Sequence, residues 1–216
     1  MTQHTYHMAD IISIADTAHI MPTGMGDAEL AKNSESWCPY LRFLAAIVAK
    51  YQPPVCVELG VYMATATMHM ALGSAYSMII GVDRDFHPAA KHNVERFSNI
   101  VLIEGDSTSV VTKLEVADVL PWNRLNKELI GLLFLDSTHD GDTPKMEFNL
   151  YKTLFAEECL VVCDDLLGPK HLEVKMQDFW GWLPGEKQEL HFLHPRINDG
   201  HDVPGFGVSI VRREDL

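Results

Sequence analysis

From Val55 onward, short apolar runs alternate with segments whose apolar residues recur at helical spacing. The runs Val55 to Leu59, Ser77 to Val82, Ile100 to Ile103, Ile130 to Leu135 and Leu160 to Cys163 read as strands. Between and after them, Ala64 to Leu72, Pro88 to Phe97, Ser107 to Val116, Pro144 to Phe155 and His171 to Trp182 read as helices. Two further strands are expected near Glu189 to Leu193 and Phe206 to Val211, with a loop from Pro195 to Pro204 between them. Upstream, Leu41, Leu44, Ala45 and Val48 mark a helix that Pro53-Pro54 closes. Residues 1–36 are irregular apart from Ile11 to Ile14 and predict an extension or cap with one or two short helices. Strands alternating with helices predict an α/β fold: a mostly parallel sheet with helices on both faces.

The 216 residues suffice for one such domain. A net charge of −13, from 17 basic and 30 acidic residues, disfavours a nucleic-acid partner. The four cysteines (Cys38, Cys56, Cys159, Cys163) lack zinc or redox spacing and read as small buried hydrophobes of a reducing compartment. His4, His7, His19, His191, His194 and His201 are scattered without ligand spacing. The start Met1-Thr-Gln-His-Thr-Tyr-His has no signal-peptide pattern, and no apolar run approaches the roughly 20 residues of a membrane span. A cytoplasmic protein without membrane contact is the expectation.

Chemistry gathers at the strand ends. Gly131-Leu-Leu-Phe-Leu-Asp136-Ser-Thr-His139 and Leu160-Val-Val-Cys-Asp164-Asp165 are apolar strands that stop at carboxylates. Were the two strands parallel neighbours, Asp136, Asp164, Asp165 and His139 would meet at the sheet edge where open α/β sheets hold ligands. Such a set suits a hard divalent cation with a general base beside it. Asp142 reads as structural and Lys145 as solvated. The first turn, Glu58-Leu-Gly60-Val-Tyr-Met-Ala64-Thr65-Ala-Thr67, carries a glycine for a tight turn and hydroxyls at a helix start. Glu58 there could receive an ammonium group. A dinucleotide fingerprint is disfavoured, because Tyr62 occupies its second glycine position. Asp83 ends the second strand, where an acid can accept from both ribose hydroxyls or cap the next helix. Asp106, with Ser107 beside it, could meet an adenine amino group or equally cap a helix.

Val57-Glu58-Leu-Gly60, Gly81-Val-Asp83, Glu104-Gly-Asp106-Ser107, Leu132-Leu-Phe-Leu-Asp136 and Val162-Cys-Asp164-Asp165, in this order, resemble the class I S-adenosylmethionine-dependent methyltransferases. The resemblance spans residues 55–165. It implies a Rossmann-like, doubly wound, seven-stranded sheet over residues 37–216. Asp136-Ser-Thr-His139 with Asp164-Asp165 is similar to a metal-dependent small-molecule O-methyltransferase subgroup. That subgroup includes macrolide sugar O-methyltransferases and cephalosporin hydroxylase-like proteins. By this resemblance Glu58, Gly60, Asp83, Asp106 and Ser107 line the S-adenosylmethionine site, with Thr65 and Asp136 beside them. Asp136, Asp164 and Asp165 would bind Mg2+ or Mn2+, and His139 would be the base. The family usually has a further glycine and a small hydroxyl residue in the first turn, where this chain has Met63-Ala64-Thr65.

The resemblance implies methyl transfer to a hydroxyl of a small molecule, such as a sugar or polyphenol with adjacent hydroxyls. Two other readings stand beside it: a metal-dependent hydrolase on the same acidic edge, and a non-catalytic S-adenosylmethionine-binding module. The acceptor is not legible in sequence, and a homo-oligomer is left open.

Overall fold

The structure, a computed structural model, describes residues 5–18, 39–121, 129–166, 170–192 and 205–216. Cys38, His194, His201, the Pro195 to Pro204 loop and most of the expected extension lie outside these residues. The strands are β1 (Val55–Leu59), β2 (Met78–Asp83), β3 (Ile100–Glu104), β4 (Ile130–Leu135), β5 (Phe155–Cys163), β6 (Glu186–His191) and β7 (Gly205–Arg212). The helices are α1 (Met8–Thr17), α2 (Pro39–Tyr51), α3 (Thr65–Gly73), α4 (Pro88–Val94), α5 (Val110–Val119), α6 (Asp142–Tyr151) and α7 (Lys170–Trp182).

All seven strands form one sheet in the order β3-β2-β1-β4-β5-β7-β6. β1 to β5 are parallel, and β7 runs antiparallel between β5 and β6. This is the Rossmann-like, doubly wound sheet that the resemblance implies. Alternate residues of the central strands feed two cores. Cys56, Leu132, Phe134, Leu160 and Val162 pack on one face with Ile11 of α1, Phe43 of α2 and Met70 of α3. Val57, Leu133, Leu135, Val161 and Cys163 pack on the other with Val116 of α5, Phe148 of α6 and Phe179 of α7. Both faces of β1 and β4 are therefore covered, which is why their sequences are apolar at nearly every position.

Several boundaries differ from the expectation, among them β6, which begins three residues earlier, and α4, which ends at Val94 rather than Phe97; three others have a visible physical reason. β5 begins at Phe155 rather than Leu160, because Glu157 and Glu158 pair with Arg213 and Arg212 at 2.9 and 3.0 Å and so are tolerated in a strand. α5 begins at Val110 rather than Ser107, capped by Ser109, which accepts from the Val111 N–H. α6 begins at Asp142 rather than Pro144. Its first turn is held by Asp140, which accepts from the Asp142 and Thr143 N–H groups.

Candidate active site

The chain leaves β1 for β2 and β3 on one side, then returns to place β4 on the other side of β1. The switch point therefore lies between the carboxyl ends of β1 and β4, where such sheets form a crevice. Hydrogen bonding continues one residue past each strand. Gly60 N–H donates to Val82 O (2.9 Å), Gly105 N–H to Asp83 O (2.8 Å), Asp136 N–H to Leu59 O (2.8 Å) and Asp164 N–H to Leu135 O (3.0 Å). These bonds put the residues that follow four strands level along one edge. A cleft of about 500 Å³ opens there, lined by Gly60, Tyr62, Asp83, Ser107, Asp136 and Ser137 among others.

The turn after β1 is strained and tightly held. Gly60 has φ +95°, and a Cβ on it would lie 2.2 Å from the Asp136 carbonyl oxygen. Only glycine lets β1 and β4 end this close together. Tyr62 and Ala64 also have positive φ, +47° and +64°. Asp83 secures the start of the turn: its Oδ2 accepts from the Val61 and Tyr62 N–H groups, both at 2.8 Å, and its Oδ1 from Asp85 N–H at 3.1 Å. About one of the four acceptor positions of the carboxylate is left for a ligand.

Glu58 lies beneath this turn and is buried. Thr67 Oγ1 donates to its carboxyl. Burial pushes the Glu58 pKa up to about 8, opposed by the Thr67 bond and assisted by the Asp83 charge. Thr65 opens α3 and is half-buried, off the cleft lining. Asp106 also stands off that lining. Its Oδ1 accepts from the Thr108 N–H (2.9 Å) and hydroxyl (2.7 Å), which hold its pKa down, and Arg84 stands 3.6 Å from its Oδ2. Ser107 lines the cleft and donates to Glu147 Oε1 at 2.5 Å.

At the β4–β5 edge the sequence-predicted acids converge. Asp136, His139 and Asp164 each offer a ligand atom within 4.8 Å of the others. The Asp136 and Asp164 carboxyls hydrogen-bond each other. Burial, then the Asp164 charge, raises the Asp136 pKa well above the carboxylate range. Asp164 is raised as well, by burial and then by Asp165. His139 Nε2 lies 3.9 Å from Asp136 Oδ1 and is a buried nitrogen without a hydrogen-bond partner among the described residues. Asp165 stands apart from the Asp136-His139-Asp164 set. It has φ +50°, and its Oδ2 is 3.5 Å from His139 Nδ1. Two carboxyl oxygen donors side by side fit a hard divalent cation, whose charge would favour their ionised forms.

Glu147 escaped the sequence reading. It is buried, and its Oε1 accepts from Ser107 (2.5 Å) and Ser137 (2.6 Å), tying the ends of β3 and β4 together. Burial pushes its pKa up to about 7. The signal was its place on the inward stripe of α6, with Pro144, Phe148 and Tyr151.

The chain was compared with known proteins. A profile of the family described as Methyltransferase domain matches residues 57–166. A search of curated protein sequences returns no match. Among solved structures, a candidate caffeoyl-CoA O-methyltransferase from Staphylococcus aureus is similar, with TM-score 0.61 and 18% identity over 94% of this chain and 99% of its own. An O-methyltransferase from Bacillus cereus in complex with SAH has TM-score 0.60 and 12% identity over 98% and 94%. The O-methyltransferase TomG from Streptomyces achromogenes, involved in tomaymycin synthesis and in complex with SAM, has TM-score 0.59 and 14% identity over 98% and 92%. At these identities the likeness shows the fold. The matched segment runs from β1 through the acids that end β5, over half of the chain, and on that ground the chain belongs to the Methyltransferase domain family.

Proposed function

We propose that this protein transfers a methyl group from S-adenosylmethionine to a hydroxyl oxygen of a small molecule, with a divalent cation and a histidine base. The observation that carries the reading is one continuous cleft, running from Gly60, Asp83 and Ser107 to Asp136 at the acidic edge. The first three are the expected cofactor contacts, and SAH and SAM complexes of similar folds support the choice of cofactor.

In this reading Gly60 lets the cofactor approach the β1 turn closely. Asp83 accepts from the ribose, giving up part of its grip on the turn. Glu58 carries the charge that meets the ammonium group, and Thr65, Asp106 and Ser107 complete the surroundings. Asp136 and Asp164 would hold Mg2+ or Mn2+; the acidic donors favour a hard cation. Such a cation orients a hydroxyl and stabilises negative charge on its oxygen. His139 Nε2 takes the hydroxyl proton. The S–CH3 bond breaks as the O–CH3 bond forms, and the sulfur keeps its electron pair. Adjacent hydroxyls, as on a sugar or polyphenol, suit two positions at one cation.

Calorimetric titration with S-adenosylmethionine, before and after chelation of metal, tests the proposal. Micromolar binding that survives chelation and survives Asp136→Ala is expected. No binding in either condition overturns it at Gly60 and Asp83.

A further inference from the structure

Two hydroxyls line the cleft, and one buried acid holds both. Ser107 comes just after β3 and Ser137 just after β4, and each forms part of the cleft wall. Behind them Glu147 of α6 is buried, and its Oε1 accepts from Ser107 Oγ at 2.5 Å and from Ser137 Oγ at 2.6 Å. Sharing one oxygen makes the two hydroxyls neighbours, although β2 and β1 separate β3 from β4 in the sheet. A serine hydroxyl has one proton and two lone pairs. A proton donated to Glu147 is turned away from the cleft, so only lone pairs are left for a ligand. An ionised carboxylate has no proton to return. A neutral one with its proton on Oε2, which is buried with no partner among the described residues, leaves Oε1 an acceptor all the same. The wall between the ends of β3 and β4 therefore offers two acceptors side by side and no hydroxyl proton. Asp106, which the sequence offers for an adenine amino group, is engaged elsewhere. Its Oδ1 takes the Thr108 N–H and hydroxyl, and its Oδ2 stands beside Arg84.

We propose that Glu147 is a positioning residue for base recognition. By holding the Ser107 and Ser137 protons it makes this wall select a group that donates two hydrogen bonds, the exocyclic amino group of a nucleobase, over a carbonyl in the same place. An amino group has two N–H donors, one for each hydroxyl oxygen. A carbonyl oxygen there would face lone pairs alone, and a desolvated acceptor without a donor is costly. This role rests on the reading of the cleft as a nucleoside-cofactor site.

Calorimetric titration of the full chain with S-adenosylhomocysteine and with S-inosylhomocysteine, its 6-oxo counterpart, tests the role. Wild type is expected to prefer the amino compound by about 30-fold or more. Glu147→Leu nearly keeps the side-chain volume and frees both hydroxyl protons to turn to the cleft, so the preference should fall to within about threefold. Ser107→Ala with Ser137→Ala removes the wall itself and should lose the preference as well. Adding Glu147→Leu to that pair should change the preference no further, because Glu147 acts through the two hydroxyls. If Glu147→Leu weakens both compounds equally and keeps their ratio, Glu147 only supports the fold and the role is overturned. Should the leucine variant not fold, the serine pair decides, and an unchanged preference there overturns the role. Equal binding of the two compounds by wild type overturns it too and leaves the cofactor reading standing. A wild-type chain that binds neither sinks the cofactor reading, and this role with it.

Discussion

Glu58→Gln is expected to make the protein more stable and, in the proposed function, a poorer binder of cofactor. Glu58 is buried, and its pKa rises from 4.5 to about 8 on folding. The folded chain therefore holds a proton that the unfolded chain releases between those two values. Stability falls with rising pH across that window, at about 1.4 kcal/mol per pH unit. Below pH 4.5 the carboxyl is protonated in both states and costs nothing. At pH 7 the cost is about 3 kcal/mol, and above pH 8 about 5 kcal/mol, both order-of-magnitude figures. Glutamine keeps an acceptor oxygen for Thr67 and cannot ionise. Urea unfolding of both proteins from pH 5 to pH 9 isolates the effect, because Asp136 and Glu147 titrate in both. The variant should gain on wild type steadily until about pH 8 and then run parallel. A difference that does not change with pH refutes the argument, since burial would then not be holding the proton. In the same variant, loss of a charge-assisted contact to the ammonium group should weaken S-adenosylmethionine by roughly 10- to 100-fold.

Ala64→Gly sets two effects against each other. It relieves about 1–2 kcal/mol of left-handed strain at φ +64° but gives up a buried methyl worth about 0.8 kcal/mol and adds chain entropy. Unfolding should place the variant within about 1 kcal/mol of wild type, and a loss above about 2 kcal/mol contradicts the strain. Glu147→Ala strands the Ser107 and Ser137 hydroxyls and opens a cavity, costing about 2–4 kcal/mol by denaturant unfolding, whereas Glu147→Gln should gain stability above pH 7. Asp136→Asn should raise the melting temperature of the metal-free protein at neutral pH by removing a buried carboxyl that must take up a proton on folding. The same variant should abolish the rise, about 2.7 kcal/mol in wild type at 100 times Kd, that Mn2+ confers; an equal Mn2+ response in both proteins would count against the cation site.

What the sequence showed plainly was whatever two-sided burial dictates. β1 and β4 have the predicted bounds, since strands covered on both faces must be apolar throughout. The order of the acidic strand ends followed, because parallel strands end at the same edge. Features that depend on a distant partner were hidden. The first half of β5 looked polar because Glu158 is neutralised by Arg212, 54 positions away. Glu147 drew no reading, because the Ser107 and Ser137 hydroxyls that hold it come from two other strand ends. Asp140, not Asp142, holds the start of α6, a choice between two acids flanking Gly141 that composition does not make. The direction of Asp165 turns on the sign of one φ angle, and aspartate tolerates either sign.

In the proposed function, the arrangement has a consequence for how cations would enter. Glu58, Asp136 and Asp164 are all pushed toward their protonated forms by burial, with like charge adding to each. An empty site thus holds protons in the places where an ammonium group and a divalent cation would go. Each cation must displace protons to bind, so its affinity rises with pH until those acids are ionised. Cations that enter also remove the repulsion, so stability lost to the site without ligand returns with ligand. A neutral ligand of the same shape offers neither exchange. In that function, selection for charge would come from acids that are unfavourable without a partner, and the parallel sheet supplies the means. Its strands end at one edge, and the ladder bonds hold the backbones of Asp136 and Asp164 side by side there.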